Sequence, residues 1–175
     1  MRFHNTPIAG VLLVEPDFHR DERGFFARLN CVEEFATAGV SFHPRQTSMS
    51  HNALSHTLRG MHYCLEPEAK LVRCARGRAL DVVFDIRSAS PSRGVSFSIE
   101  LSADNGLGLF IPAGPAHGFQ TLEPATDMLY QIDRIYRPGF DAGLRWDDPA
   151  FAFNWPAAPA VISARDMQWP DFSFD

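Results

Sequence analysis

One histidine, one lysine and one aspartate stand on three successive strand-like runs between residues 57 and 87. Thr-Leu-Arg-Gly-Met-His-Tyr carries His62, Ala-Lys-Leu-Val-Arg-Cys carries Lys70, and Leu-Asp-Val-Val-Phe-Asp-Ile-Arg carries Asp81. The rest of each run is largely apolar, as a barrel interior requires. Farther on, Ile111-Pro112-Ala113-Gly114-Pro115-Ala116-His117-Gly118-Phe119 adds a second histidine behind a rigid turn. A base, a cation and an acid converging in an apolar cavity are what proton abstraction next to a carbonyl needs.

Each group also has a plainer reading. Under strict alternation His62 shares a face with Leu58, Gly60 and Cys64, where a histidine can equally be a satisfied core residue. Lys70 shares a face with Val72 and Cys74, so its amine either meets an anion or enolate or snorkels to water at the strand mouth. Tyr130 and Tyr136 are an even number of residues apart, which puts both on one face of a regular strand. A buried phenol there can act as a general acid or simply fill a barrel. Asp166, in Ser163-Ala164-Arg165-Asp166, either orients His62 or caps a turn of helix. His62 and His117 with Glu66 or Glu68 make at best two histidines and one carboxylate for a metal, so the metal-free reading leads.

Many short strands must position these groups. Gly and Pro punctuate the chain as in an all-β protein. Strand runs are expected at 11–15, 24–29, 42–49, 57–64, 71–75, 79–86, 95–101, 108–111, 117–121 and 128–136. Val95, Phe97, Ile99 and Leu101 alternate cleanly with Ser96, Ser98 and Glu100. Helix signals are few and short: 31–39, closing on Gly39, and one turn near Ser163. Little helix and many strands predict a sandwich, jelly roll or barrel. Gly60, inside a strand run, marks a bend or a close backbone approach.

The 175 residues fit one domain, 1–175, with a sizeable core. The formal charge of −5, with no Lys/Arg cluster, argues against a nucleic-acid partner. Cys31, Cys64 and Cys74 are odd in number and irregular in spacing, which suggests reduced thiols rather than a disulfide framework. No run approaches the ~18 apolar residues of a membrane span. Met1-Arg2-Phe3-His4-Asn5-Thr6-Pro7 lacks the apolar centre of a signal peptide, so a cytoplasmic location is expected.

Two resemblances sharpen the picture. Gly106, five residues, then Pro112-x-Gly114-x-x-His117 resembles the second half of the cupin signature, and Gly60-x-His62 echoes the first half. Cys64 stands where the second histidine of the cupin His-x-His pair would be. More closely, the chain resembles the dTDP-4-dehydrorhamnose 3,5-epimerase family of nucleotide-sugar epimerases. The matching segments include Asp21-Glu22-Arg23-Gly24-Phe25-Phe26, Thr57 to Tyr63, Ala69 to Cys74, Asp81 to Arg87, Ala116-His117-Gly118-Phe119, Leu144-Arg145-Trp146-Asp147-Asp148-Pro149 and Ser163-x-x-Asp166.

The resemblance implies a cupin-type double-stranded β-helix (jelly roll) that forms a homodimer and uses neither metal nor cofactor. It implies epimerisation of an NDP-4-keto-6-deoxyhexose at C3 and C5, or at one carbon only, or on another nucleotide. His62 then falls on the catalytic base, Asp166 on its partner acid, Lys70 on the enolate stabiliser and Tyr130 on the proton donor. His117, Asp81 and Tyr136 fall on pocket positions; Arg23, Phe26, Gln46 and Arg59 fall on substrate contacts. Simple alternation sets Arg59 opposite His62, a conflict that a bend at Gly60 or a reach across a dimer would resolve. Departures from the family pattern are Cys64, Arg28, Ser48 after Gln46-Thr47, and Ile135. The last three fall on positions associated with the nucleotide. A cupin that binds a sugar nucleotide without epimerising it, or a metal-dependent cupin, is the alternative from another class.

Overall fold

Strand alternation resolves into two antiparallel sheets packed face to face in a jelly roll. The computed structural model describes residues 1–151 and 154–173. One sheet runs, in spatial order, β1 (Arg2–Asn5), β2 (Leu12–Glu15), β10 (Gly108–Ile111), β7 (Lys70–Arg76), β12 (Thr126–Ile132) and β5 (Gln46–Asn52). The other runs β13 (Asp141–Gly143), β6 (Leu58–Cys64), β11 (Ala116–Thr121), β8 (Arg78–Phe84) and β9 (Ser96–Ser102). β3 (Phe18–Asp21) and β4 (Gly24–Ala27) form a separate hairpin. Among the described residues helix is confined to α1 (Val32–Thr37) and two 3-10 turns, Pro149–Phe151 and Asp166–Gln168.

Period-2 alternation sorts each strand's side chains between two buried surfaces. Val72, Cys74, Leu109 and Met128 of one sheet meet Ala79, Val83, Leu101 and Phe119 of the other between the layers. The intervening residues serve outer clusters. Leu71 and Phe110 pack under Phe35 of α1 and Phe42. Met61, Val82, Phe84 and Ala116 pack under Leu144 and Phe151 of the C-terminal segment. The site strands are thus braced on both faces, which makes them rigid carriers for functional side chains.

Two strand boundaries differ from the sequence expectation by four residues. β5 begins at Gln46 rather than residue 42, because Phe42 turns into the outer cluster and Pro44 has no N–H for a ladder. β12 ends at Ile132 rather than residue 136. Asp133 still donates its N–H to the Ala69 carbonyl, at 3.1 Å, but takes the Ala69 N–H on its side-chain oxygen, at 2.9 Å, and the ladder closes there. Tyr136 therefore lies outside the strand, and its expected common face with Tyr130 is corrected. β1, β3 and β13 were not anticipated; each is only three or four residues long.

The register also settles the conflict at Arg59. His62 pairs with His117 and Arg59 pairs with Phe119, so three steps on β6 match two on β11. The extra residue is a bulge, and it brings Arg59 and His62 to the same face within one chain. Gly60 makes the bulge possible. Its φ is +130°, and a Cβ there would sit 2.6 Å from the Gly118 Cα.

Candidate active site

The five-stranded sheet supplies the imidazoles. His62 Nε2 lies 2.7 Å from Asp166 Oδ1, which rides on the C-terminal 3-10 turn. Ser163 starts that turn, its hydroxyl accepting the Asp166 N–H at 3.0 Å. Burial would raise the Asp166 carboxyl, but His62, the Gly60 N–H and the Trp169 indole N–H more than offset it, and its pKa is lowered. An ionised Asp166 only accepts hydrogen bonds, so Nε2 carries the proton and Nδ1 keeps the free lone pair. That is the tautomer a base requires.

His117 is deeply buried beside Asp81, its Nε2 3.0 Å from each carboxylate oxygen. Desolvation lowers its pKa; Asp81 opposes the shift and Lys70 adds to it. The pair faces inward with Val83 and Phe119.

The six-stranded sheet supplies the amine and the phenol. Lys70 opens β7 on the inward parity of Val72 and Cys74. Burial lowers its pKa, and Glu68 and Asp81 only partly restore the charged form. An ammonium short of compensating charge stabilises any oxyanion that develops beside it. Tyr130 pairs with Val72 and packs on the inner core. Burial raises the pKa of its phenol, with Ser50 opposing, so it stays a proton donor. Its hydroxyl faces Ser50 Oγ at 3.4 Å.

His62 and Lys70 line one cavity of about 140 Å³ together with Cys64, Glu68, Asp141 and Arg165. On its other side His62 borders a cavity of about 310 Å³ with Arg59, Ser163, Arg165 and Asp166. Imidazole and phenol come from opposite sheets, both on inward-facing parity. That geometry can remove a proton from one face of a flat intermediate and return one to the other.

The remaining expected residues divide. Gln46 opens β5, and its side-chain oxygen accepts the Tyr136 N–H at 3.2 Å. Tyr136 is 57% exposed, its hydroxyl 3.1 Å from Asp141 Oδ2 at the cavity rim. Arg23 and Phe26 sit on the exposed β3–β4 hairpin, where Arg23 pairs with Asp21; among the described residues no hydrogen bond or ion pair joins them to the cavity. Glu66, one of the two carboxylates weighed for a metal, is paired with Arg134. Among the described residues no three His, Cys, Asp or Glu side chains converge on a point a metal could occupy. Asp141 and Arg165 were missed. Asp141 lies on a three-residue strand without pattern, and the one signal for Arg165 was its place beside Asp166.

The family model described as dTDP-4-dehydrorhamnose 3,5-epimerase matches residues 5–173. A dTDP-4-dehydrorhamnose 3,5-epimerase of Sinorhizobium fredii is 40% identical over 173 residues, spanning 97% of this chain and 89% of its own. The crystal structure of the Bacillus anthracis enzyme of that name, with TDP and PPi bound, superposes with a TM-score of 0.94 at 34% identity, covering 98% and 99% of the two chains. ChmJ, a 3'-monoepimerase from Streptomyces bikiniensis solved with dTDP-quinovose, superposes at 0.89 and 30% identity over 96% and 86%.

Proposed function

This chain belongs to the dTDP-4-dehydrorhamnose 3,5-epimerase family, and from that premise we propose that it epimerises a dTDP-4-keto-6-deoxyhexose at C3 and C5 in deoxysugar biosynthesis. The observation that carries the reading is the opposition of His62–Asp166 on one sheet to Lys70 and Tyr130 on the other.

The C4 ketone of such a sugar acidifies the protons on C3 and C5. His62 Nδ1 takes one of them, and the C–H electron pair moves through C4 to its oxygen. Lys70 stabilises that oxyanion, an effect worth several kcal/mol in a water-poor site. Tyr130 gives a proton to the same carbon from the opposite face, which inverts it. His62 then loses its proton to solvent and the tyrosinate regains one. The substrate's own ketone is the electron sink, so no step draws on a metal or a redox cofactor. Arg59 and Arg165, in the wall of the larger cavity, would hold the diphosphate.

We read the chain as one domain and a cytoplasmic homodimer. Phe25, Phe26 and Met49 are more than half exposed on the β3–β4 hairpin and the outer side of β5, an apolar surface suited to a second copy. In that assembly the hairpin would carry Arg23 and Phe26 to the partner's nucleotide, in keeping with their separation from the cavity of their own chain.

The test is to incubate the protein with dTDP-4-keto-6-deoxyglucose in deuterated water and count deuterium at C3 and C5. Incorporation at both carbons with inverted product is expected. Label at C3 alone would make it a monoepimerase, the activity ChmJ is named for. No label at either carbon would remove epimerisation.

A further inference from the structure

The geometry points to Asn52 as the residue that positions Arg59 for an anionic ligand, an assignment resting on the nucleotide-sugar reading above. Asn52 is the last residue of β5 and 1% exposed. Its Oδ1 accepts from Arg59 Nε at 2.8 Å. Its Nδ2 donates to the backbone carbonyls of Thr126, at 3.0 Å, and Ser50, at 3.3 Å. The amide orientation is dictated by chemistry. A guanidinium only donates and a carbonyl only accepts, so the oxygen must face Arg59 and the nitrogen the two carbonyls.

The consequence falls on Arg59. An exposed arginine beside a cavity ordinarily samples many rotamers, and ordering it on a ligand costs side-chain entropy. Here Nε is tied to a buried amide, and one Nη2 N–H reaches toward the His51 carbonyl at 3.4 Å. The Nη1 edge keeps its donors for the cavity that Arg59 shares with Arg165, Ser163 and His62. A guanidinium fixed along its Nε edge and free along the other is preorganised for a phosphate oxygen pair. Asn52 lies on β5 two residues from Ser50, whose hydroxyl faces Tyr130, so one strand holds both the anion-facing arm and the proton donor's neighbour.

A double-mutant cycle on dTDP affinity, measured by calorimetry on the full chain, tests this. Asn52→Ala should weaken dTDP by about tenfold, as loss of a charge-assisted anchor does. In an Arg59→Ala background the same change should alter affinity by less than about twofold, because the arm it positions is gone. The exchange kcat at saturating substrate should stay within about threefold of the unaltered protein while KM rises. Equal losses in both backgrounds, or no loss in the first, would overturn the assignment.

A measurement on the unaltered protein guards against a variant that folds poorly. With 15N-labelled arginine, the Arg59 Nε–H should exchange slowly before dTDP is added and move little on titration. A fast-exchanging Nε–H that shifts on binding would count against Asn52. If the unaltered protein binds no dTDP, the substrate reading fails instead, whatever the Nε–H shows.

Discussion

His62 and Asp166 are 104 positions apart in the chain and meet at 2.7 Å between Nε2 and Oδ1. The carboxylate also takes the backbone N–H of Gly60 on Oδ2, two residues before the imidazole it orients. One side chain therefore fixes both the tautomer of the base and the strand that carries it. Asp166→Asn keeps the shape but offers an N–H₂ where an acceptor is needed. Exchange at C3 and C5 should fall by about a hundredfold or more, the scale of losing an oriented base. A variant within about tenfold of the unaltered enzyme in a deuterium wash-in assay would strip Asp166 of this role.

Acid stability draws on two buried carboxyls. Asp85 is fully buried among Arg87, Ser90 and Ser92, whose hydrogen bonds outweigh the burial that would raise it, so its pKa lies far below the usual carboxylate range. Asp166 is lowered as well. A carboxyl whose folded pKa is depressed contributes stability that is present above its unfolded pKa, about 4, and is lost as pH falls toward the folded value. The thermal midpoint should therefore decline below about pH 4. Asp85→Asn should lower the midpoint near neutrality and flatten that decline, as scanning calorimetry across pH would show. An unchanged slope would mean that other groups govern acid unfolding.

Much of the site was legible in the sequence because period-2 alternation on regular strands is a local property. Lys70 with Val72 and Cys74, and Asp81 with Val83, face inward as alternation places them. Alternation failed where the strand itself was irregular. The bulge at Gly60 reversed the side of Arg59, and the side-chain bond that closes the ladder at Asp133 left Tyr136 outside the strand. The family resemblance supplied what no local pattern could, the pairing of Asp166 with His62. Asn52 and Asp141 had no signal, since each gains its meaning from partners distant in the chain.

Gly60→Ala tests the bulge directly. The new Cβ would fall 2.6 Å from the Gly118 Cα, backbone that cannot yield without parting β6 from β11, and the φ of +130° disfavours any side chain. A loss of at least about 2 kcal/mol is expected, or a thermal midpoint lower by roughly 4–8 °C for a chain of this size. Activity should fall further than stability at a temperature where the variant remains folded, because Arg59 and His62 share a face only through this residue. A midpoint within about 1 °C of the unaltered protein would show that the strands accommodate the methyl group.

Tyr130→Phe separates abstraction from return. The substitution keeps the ring that packs on the inner core and deletes the hydroxyl facing Ser50. The phenol's raised pKa keeps it protonated across the working range, as an acid must be. His62, on the other sheet, retains Asp166 and its free Nδ1. Proton removal should therefore persist, and solvent deuterium should enter with retained configuration, delivered back from the His62 side. Inverted product should drop by about a hundredfold, within the usual range for losing a positioned acid. The ratio of washed-in label to inverted product is the decisive quantity, because a merely loosened fold would lower both together. If C3 inverts as fast as in the unaltered enzyme, Tyr130 is not the donor. Tyr136 is then a poor substitute, since it stands at the exposed rim with its hydroxyl on Asp141, and a water reaching the far face of the sugar becomes the acid to seek.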